Sequence, residues 1–329
     1  MTYQAAGITL ADVQRPVMAQ LDQVTAALRD IVAADFPLIQ EVNGHLLQMK
    51  GKMFRPTLLL LANAASSGRD ARAVRLGAVI ELIHLATLVH DDSVDHSALR
   101  RGMPTVNALF SHQISVIMGD YLYSRAIIEL VRMEDLEPLR VLSRVTNEMT
   151  VGEMRQLAQY DALAFGEEDY EVTIRSKTAT LLAAACESGA LRAGAREREA
   201  LRAYGDALGM AFQIADDLLD YTGAETVTGK PSGNDLREHK VTLPLIAALP
   251  RVSPAEREQV RRLFETHEPP DDLVARVVAL VEAHGGLAYA RERASHYASR
   301  AEAALDALPP SAAREALQGA ITYAVERRR

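Results

Sequence analysis

The stretches His84–Asp95, HLATLVHDDSVD, and Ala211–Asp220, AFQIADDLLD, decide how this 329-residue sequence is interpreted. Each is an apolar run that ends in the pattern Asp-Asp-x-x-Asp. The six aspartates are Asp91, Asp92 and Asp95, then Asp216, Asp217 and Asp220. On a helix, residues four apart differ by about 40° in azimuth, so the first and last aspartate of each triplet point the same way. The spacing therefore predicts two acidic clusters, each on one face of an apolar helix.

The sequence around these stretches has the same helical pattern. Apolar residues recur three or four positions apart ahead of both triplets, at Leu76, Val79, Ile80 and Ile83 and again at Tyr204, Leu208 and Ala211. No period of twenty to fifty residues indicates a solenoid, and no segment has the composition of a linker. We therefore expect a single all-α domain over residues 1–329, built as a bundle of about ten or more helices.

Composition excludes several classes of protein. The net charge of −8 argues against a globally basic nucleic-acid-binding face. Cys186 is the only cysteine, so the sequence predicts neither an intrachain disulfide nor a thiolate metal cluster, which fits a reducing cytoplasm. The first residues lack the basic start and apolar run of a signal peptide, and the uncharged run from Gly102 to Gly119 is interrupted by polar residues and Pro104. We expect a cytoplasmic protein without an integral membrane segment.

Both triplets point to a bound cation. Helix-ending residues follow them, namely Gly102 and Pro104 after the first and Gly223 after the second. At a helix C-terminus the macrodipole disfavours each anion by about 0.3–1 kcal/mol. Oxygen-only ligands suit Mg²⁺, which binds one or two carboxylates and completes its shell with water and substrate phosphates. A solvated acidic helix end is the alternative for one triplet, but two matching triplets favour the metal. The sequence has neither EF-hand nor di-iron spacing.

Basic residues suited to a diphosphate accompany the acids. They are Lys52, Arg55, Arg100, Arg101, Lys177, Lys230 and Lys240. His84 lies two turns before Asp91, and Gln213 lies one turn before Asp217. Each base alone could be a surface cation, and His84 could be a core histidine, so the prediction depends on their joint occurrence. The breaker-rich segment 221–243 is either a polyanion-binding loop, which its basic residues favour, or a disordered insertion.

Seven motifs occur in a characteristic order: Gly-Lys-x-x-Arg-Pro (51–56), His-Asp-Asp-x-x-Asp (90–95), Arg-Arg-Gly-x-Pro-Thr (100–105), Gly-Asp-Tyr-Leu (119–122), Ser-Lys-Thr-Ala (176–179), Phe-Gln-x-x-Asp-Asp-x-x-Asp (212–220) and Gly-Lys-Pro-x-Gly-x-Asp-Leu (229–236). With them, the sequence resembles the trans-prenyl diphosphate synthase family, the polyprenyl synthetases. The resemblance implies the isoprenoid synthase fold, an all-α bundle in which the two triplets face each other across a central cavity.

The resemblance also implies roles for these residues. Up to three Mg²⁺ ions would be bound by Asp91, Asp92, Asp95, Asp216, Asp217 and Asp220. The allylic diphosphate would be contacted by Arg100, Lys177, Gln213, Lys230 and Lys240, and isopentenyl diphosphate by Lys52, Arg55, His84 and Arg101. Lys177 and Thr178 would line the reacting end. Two positions depart from the family pattern, because Lys50 and His239 stand where the family has glycine. The second departure weakens the expectation for Lys240.

The activity implied is that of a prenyltransferase. Metal-assisted loss of diphosphate from the allylic substrate is followed by attack of isopentenyl diphosphate, and the family suggests a homodimer. Ala86 and Thr87 lie about 6–7.5 Å before Asp91 on the helix axis, where short-chain family enzymes carry a bulky residue. We therefore expect a long all-trans product of about octaprenyl length for a quinone side chain, with peripheral membrane contact. The alternatives are a geranylgeranyl or farnesyl diphosphate synthase, a class I terpene cyclase, and a regulatory subunit of a heteromeric synthase.

Overall fold

The structure is a computed structural model that describes residues 7–49, 51–157, 162–222 and 232–326. In these ranges the protein is almost wholly helical, as the apolar periodicity predicts. Lys50 and Lys230, both of which entered the sequence interpretation, lie outside the described residues.

The described ranges contain seventeen α-helices. The first eight are α1 (Leu10–Gln14), α2 (Met18–Ile31), α3 (Pro37–Gln48), α4 (Phe54–Ala65), α5 (Ala73–Val94), α6 (Val106–Leu109), α7 (His112–Arg132) and α8 (Leu136–Leu157). The remainder are α9 (Glu167–Ile174), α10 (Thr180–Gly189), α11 (Ala195–Thr222), α12 (Asn234–Arg237), α13 (Leu243–Ala248), α14 (Pro254–Glu265), α15 (Asp271–Ala283), α16 (Gly286–Ala304) and α17 (Ala312–Glu326).

Shorter elements join the helices. A π-helical turn, Arg175–Ala179, connects α9 to α10, and 3₁₀ turns cover Arg15–Val17, Ala162–Ala164, Leu249–Arg251 and Leu305–Ala307. Strands β1 (Leu99–Arg100) and β2 (Met103–Pro104) pair antiparallel as a small hairpin. Of the segment 221–243, residues 223–231 lie outside the described residues; in the rest of it, α11 continues to Thr222 and α12 covers Asn234–Arg237.

The two helices that carry the aspartate triplets organise the packing. Helix α5 is apolar on nearly all sides and is surrounded by α2, α4, α7 and α10, which explains its lack of a polar face. Helix α11 runs through both hydrophobic cores. Its Tyr204 and Leu208 belong to the core around α4 and α5, whereas Ala211 and Ile214 belong to the core of α13, α15 and α16.

Among the described residues, α5 is the one helix long and apolar enough by itself to cross a membrane. Its most apolar window is 61% buried among other helices, so its composition follows from its central position. The pair α15 and α16, with the 3₁₀ turn after it, meets the same length and composition test only when counted together, and it is bent by 63°.

Candidate active site

The first aspartate triplet lies at the C-terminus of α5. Asp91 and Asp92 are in its last turn, and Asp95 is its C-cap residue, as the sequence predicts. The Arg100 guanidinium holds Asp92, because its Nε lies 2.8 Å from both carboxylate oxygens and its Nη2 lies 2.7 Å from Oδ1. Burial raises the pKa of Asp91, whereas Lys177, with Nζ 3.5 Å from Asp91 Oδ2, lowers it. Protein cations thus meet two of these three acids.

The β1–β2 hairpin separates the two adjacent arginines. Its turn residues Arg101 and Gly102 have φ values of +52° and +76°, which fit a two-residue type I′ turn. Arg100 reaches back to Asp92, while Arg101 Nη1 donates to the Met49 carbonyl at 3.0 Å. The turn therefore gives each arginine its own site, one at the acidic motif and one at a basic pocket.

The basic pocket contains Arg55, His84 and Arg101 around one acid, Glu81. A Cβ added at Gly51 would lie 2.9 Å from Arg101 Nη1 and 3.3 Å from Glu81 Oε1. Glycine at this position therefore allows both side chains to pack against the backbone. Burial lowers the pKa of Arg55 to about 10, and Glu81 opposes that shift. Burial, with the three arginines nearby, holds the pKa of His84 well below its usual value, so the imidazole is neutral.

The structure changes two parts of what the sequence predicts for the basic pocket, the placement of Lys52 and the presence of an acid. Lys52 precedes α4 and is exposed, and the left-handed Met53 (φ +52°) separates it from the helix that carries Arg55. The two bases therefore lie on different elements, Arg55 on α4 and Lys52 in the segment before it. Glu81 was not singled out from the sequence, although it lies one turn before His84 on α5 and is 5% exposed. Its position one helical turn from His84, a predicted ligand, is the sequence signal that could have identified Glu81.

The second triplet lies near the C-terminus of α11. Asp217 is 5% exposed, and uncharged groups hold both of its oxygens. The Tyr170 hydroxyl donates to Oδ2 at 2.6 Å, and Gln213 Nε2 donates to Oδ1 at 2.9 Å. Burial raises the pKa of Asp217 to about 8, the Tyr170 hydrogen bond lowers it, and Asp235 raises it further. A buried carboxyl of this kind has a strong electrostatic preference for a nearby cation.

Asp220 caps α12. Its two carboxylate oxygens accept the backbone N–H groups of Asn234 and Asp235, each at 3.1 Å. This brings in Asp235, which belongs to the quoted Gly-x-Asp-Leu motif but was not assigned a role from the sequence. Burial, followed by the charge of Asp220, raises the pKa of Asp235 to about 7, while Lys240 lowers it. The second acidic cluster is therefore larger than the triplet.

Lys177 and Thr178 lie on the π-helical turn, a feature often found at functional sites. Glycines on both sides let the neighbouring helices approach the turn. A Cβ at Gly152 of α8 would collide with Ser176, and one at Gly209 of α11 would collide with Ala179. Lys177 Nζ lies 2.9 Å from Glu153 Oε1, and Thr178 donates to Gln213 Oε1 at 2.8 Å. The turn thus links α5, α8 and α11 at the acidic side chains.

Lys240 lies between the two acidic clusters. Burial lowers its pKa, but the charges of Glu238, Asp235 and Asp95 outweigh burial and raise it. Nζ contacts Glu238 at 2.6 Å. His239, where the family has glycine, adopts a left-handed φ of +56°, and its ring nitrogen lies 3.0 Å from the Thr266 carbonyl. The departure from glycine has therefore been accommodated without removing Lys240 from the acids.

The two predicted chain-length residues lie on α5, before the triplet. Ala86 is fully buried, and Thr87 is half-buried with its hydroxyl donating to the His84 carbonyl at 2.8 Å. Both side chains are small, and the role of these two residues in chain length stays a prediction.

The donor set fits a hard divalent cation bound together with a phosphate ligand. Within the described ranges, no three His, Cys, Asp or Glu side chains are close enough to hold a metal ion by themselves. Mg²⁺ needs only one or two carboxylates when water and phosphates complete its octahedron. Asp217 is such a carboxylate. It is buried, and its two hydrogen-bond donors, Tyr170 and Gln213, are both uncharged.

Comparison with known proteins identifies the family. The sequence model of the polyprenyl synthetases matches residues 36–281, most of the chain. The chain belongs to the polyprenyl synthetase family. It is 38% identical to the all-trans-nonaprenyl-diphosphate synthase (geranyl-diphosphate specific) of Rhodobacter capsulatus, over 96% of this chain and 97% of that protein. It is also 38% identical to the octaprenyl diphosphate synthase of Escherichia coli K12, over 93% of this chain and 95% of that protein.

A solved structure agrees with this assignment. The polyprenyl synthase of Caulobacter crescentus CB15, complexed with calcium and isoprenyl diphosphate, superposes with a TM-score of 0.92 at 36% identity, covering 99% of this chain and 100% of that one. The predicted family and the predicted isoprenoid synthase fold are confirmed. The predicted enzyme class is confirmed as well, so this polyprenyl synthetase is a prenyltransferase. The calcium in that related structure is consistent with a divalent metal in the family.

Proposed function

We propose that this polyprenyl synthetase is an all-trans long-chain polyprenyl diphosphate synthase that adds isopentenyl diphosphate head-to-tail to an allylic diphosphate, with a product of about octaprenyl length. One observation carries the proposal. The π-helical turn holds Lys177 against Asp91 of the first triplet and Thr178 against Gln213, which binds Asp217 of the second. A separate basic pocket lies beside them. One site for a metal-bound diphosphate and one for a second diphosphate are what a condensation of two diphosphates requires.

The residue roles are part of the proposal. Lys52, Arg55, His84 and Arg101 bind the diphosphate of isopentenyl diphosphate, and Arg100, Lys177, Gln213, Lys230 and Lys240 bind that of the allylic substrate. When bound by Asp91, Asp92, Asp95, Asp216, Asp217 and Asp220, Mg²⁺, up to three ions, supplies Lewis-acid stabilisation of the departing diphosphate. Lys177, held by Glu153 at 2.9 Å, offers its ammonium to the same charge. The Thr178 hydroxyl lines the reacting end.

Turnover by the purified full chain tests the activity. The protein is incubated with farnesyl diphosphate, isopentenyl diphosphate and Mg²⁺, and the products are sized by mass spectrometry, with an EDTA-treated sample as control. We expect Mg²⁺-dependent long-chain products. A geranylgeranyl product would favour the shorter-chain alternative, and a cyclised hydrocarbon made without isopentenyl diphosphate would favour a terpene cyclase. No turnover by the single chain would favour a subunit of a heteromeric synthase.

Product length depends on the space before the first triplet. Ala86→Tyr places an aromatic ring on α5 more than one turn before Asp91, where it would block a descending chain. We expect clearly shorter products on chromatography. Ala86→Ser is the matched control, since it keeps the side chain small and should keep the long product. A product of unchanged length from Ala86→Tyr would show that Ala86 does not lie at the floor of the tunnel.

We also propose that the protein acts as a homodimer through α7. Ile117, Ile128 and Val131 share one face of that helix and are 64%, 42% and 61% exposed. The exposed Asp120 and Ser124 interrupt this face, and its apolar side chains are the surface through which we expect a second copy to bind. Sedimentation of the full chain at micromolar concentration measures its assembly state. The cytoplasmic location, the peripheral membrane contact and one domain over residues 1–329 stay predictions; α11, which contributes to both cores, supports the last.

A further inference from the structure

Tyr170 is a buried phenol beside the second acidic triplet, and no role was assigned to it above. It is 2% exposed, and its hydroxyl donates to Asp217 Oδ2 at 2.6 Å. Gln213 occupies the other oxygen at 2.9 Å. A carboxylate has about four lone-pair positions. These two donors use one position on each oxygen and leave one on each for a cation.

The surrounding packing fixes the phenol in place. Tyr170 is on α9, and acids on both sides of it in sequence tie that helix to α16. Tyr289 donates to Glu167 at 2.7 Å, and Tyr297 donates to Glu171 at 2.7 Å. Arg293 contacts both of these glutamates. Because α9 is anchored on either side of Tyr170, the hydroxyl reaches Asp217 from a fixed point.

The phenol remains a donor in this environment. A tyrosine phenol keeps its proton at neutral pH, so the hydroxyl is the donor in its 2.6 Å contact with Asp217 Oδ2. Carboxylates that bind metals are themselves commonly held by such hydrogen bonds, which orient the oxygen that faces the ion.

We propose that Tyr170 is a positioning residue that orients the Asp217 carboxylate toward a divalent metal ion. The inference rests on the proposed function, in which Asp217 is a metal ligand. Beyond that function, the inference assigns to α9 the hydrogen-bond donor that orients Asp217.

The test is Tyr170→Phe, which removes the hydroxyl and keeps the ring. Mn²⁺ binding is measured without turnover, from the electron paramagnetic resonance signal of free Mn²⁺ in the presence of inorganic pyrophosphate. We expect binding about tenfold weaker, the lower end of the effect of removing an outer hydrogen bond from a metal ligand. The Mg²⁺ concentration for half-maximal turnover should rise by a similar factor. The KM for isopentenyl diphosphate should stay within about twofold, because the basic pocket is a different site.

Tyr204→Phe is the matched control. Tyr204 is fully buried on α11, and its hydroxyl donates to the Leu317 carbonyl at 2.7 Å, so the variant loses a comparable hydrogen bond away from the acids. It should leave Mn²⁺ binding unchanged. Unchanged Mn²⁺ binding in Tyr170→Phe, or an equal loss in both tyrosine variants, overturns the inference.

Asp217→Asn separates the inference from the proposed function. If Asp217→Asn weakens Mn²⁺ binding and Tyr170→Phe does not, only the role of Tyr170 is wrong. If neither variant changes Mn²⁺ binding, the proposed role of Asp217 as a metal ligand is wrong, and the inference falls with it.

Discussion

The second aspartates of the two triplets, Asp92 and Asp217, occupy matching sequence positions and are each 5% exposed, yet the protein treats their charges differently. Asp92 is held by the fork of Arg100, with three contacts of 2.7–2.8 Å. Asp217 is held by a phenol and an amide. In the first motif, a cation of the protein itself therefore compensates the buried carboxylate. In the second, the carboxyl oxygens are hydrogen-bonded, but no cation of the protein holds them.

This difference shows where a bound metal contributes most to the protein. A buried carboxylate without a nearby cation is destabilising even when its hydrogen bonds are made. At the second motif, Asp235 lies close to both Asp217 and Asp220, and Lys240, the cation that acts on Asp235, also has its Nζ engaged by Glu238. In the proposed function, a divalent ion bound there would supply the missing positive charge. At the first motif it adds to charges that Arg100 and Lys177 already provide.

The largest expected effect is an opposite response of the metal-free protein to two equal substitutions. Asp92→Asn leaves Arg100 half-buried without its acid and should lower the free energy of unfolding by about 1–3 kcal/mol, discounted for the exposure of Arg100. Asp217→Asn removes a carboxyl whose ionisation is opposed by burial and which no protein cation holds. The asparagine oxygen still accepts one hydrogen bond and its NH₂ can donate to the Tyr170 oxygen, so the substitution should leave stability unchanged or raise it by up to about 1 kcal/mol. Thermal unfolding in EDTA measures both.

The same two variants should be alike in turnover. Each removes a proposed metal ligand, and we expect a loss of about a thousandfold or more in kcat with saturating Mg²⁺, since a metal contributes several kcal/mol to catalysis. Equal stability losses in EDTA would contradict the comparison, even if both variants were inactive. That outcome would mean that the protein compensates the two buried charges to the same extent.

Much of this contrast was accessible from the sequence. The placement of both triplets at helix C-termini depends on periodicity and on helix-ending residues, which are local signals. The bases of the hairpin and of the π-helical turn were found for the same reason, since they sit in short motifs. The π-helical conformation itself was not predicted, because it depends on the close approach of α8 and α11 at Gly152 and Gly209.

The partners that distinguish the motifs were beyond local reasoning. Tyr170 and Asp217 are 47 residues apart in sequence, and only the packing of α9 against α11 brings them together. Glu153 and Glu81 were missed because a single acid on a helix is indistinguishable from a solvated one until its neighbours are known. Lys52 and Arg55 would be neighbours if one helix carried both, but α4 begins only at Phe54.

The smallest expected effect is at Asp220, the outer member of the second triplet. Its carboxylate accepts two backbone N–H groups at the start of α12, each at 3.1 Å, and it is only half-buried, so it gains less from a bound metal than the buried Asp217. Asp220→Asn keeps one oxygen acceptor and should cost less than about 1 kcal/mol in stability. It should lower kcat by no more than about tenfold, against the far larger loss at Asp217.

Asp220→Ala removes both acceptors and should be the less stable of the two variants. Parallel measurement of kcat and of Mg²⁺ for half-maximal turnover checks this ranking, and a loss in Asp220→Asn equal to that in Asp217→Asn would make Asp220 a metal ligand first and a helix cap second.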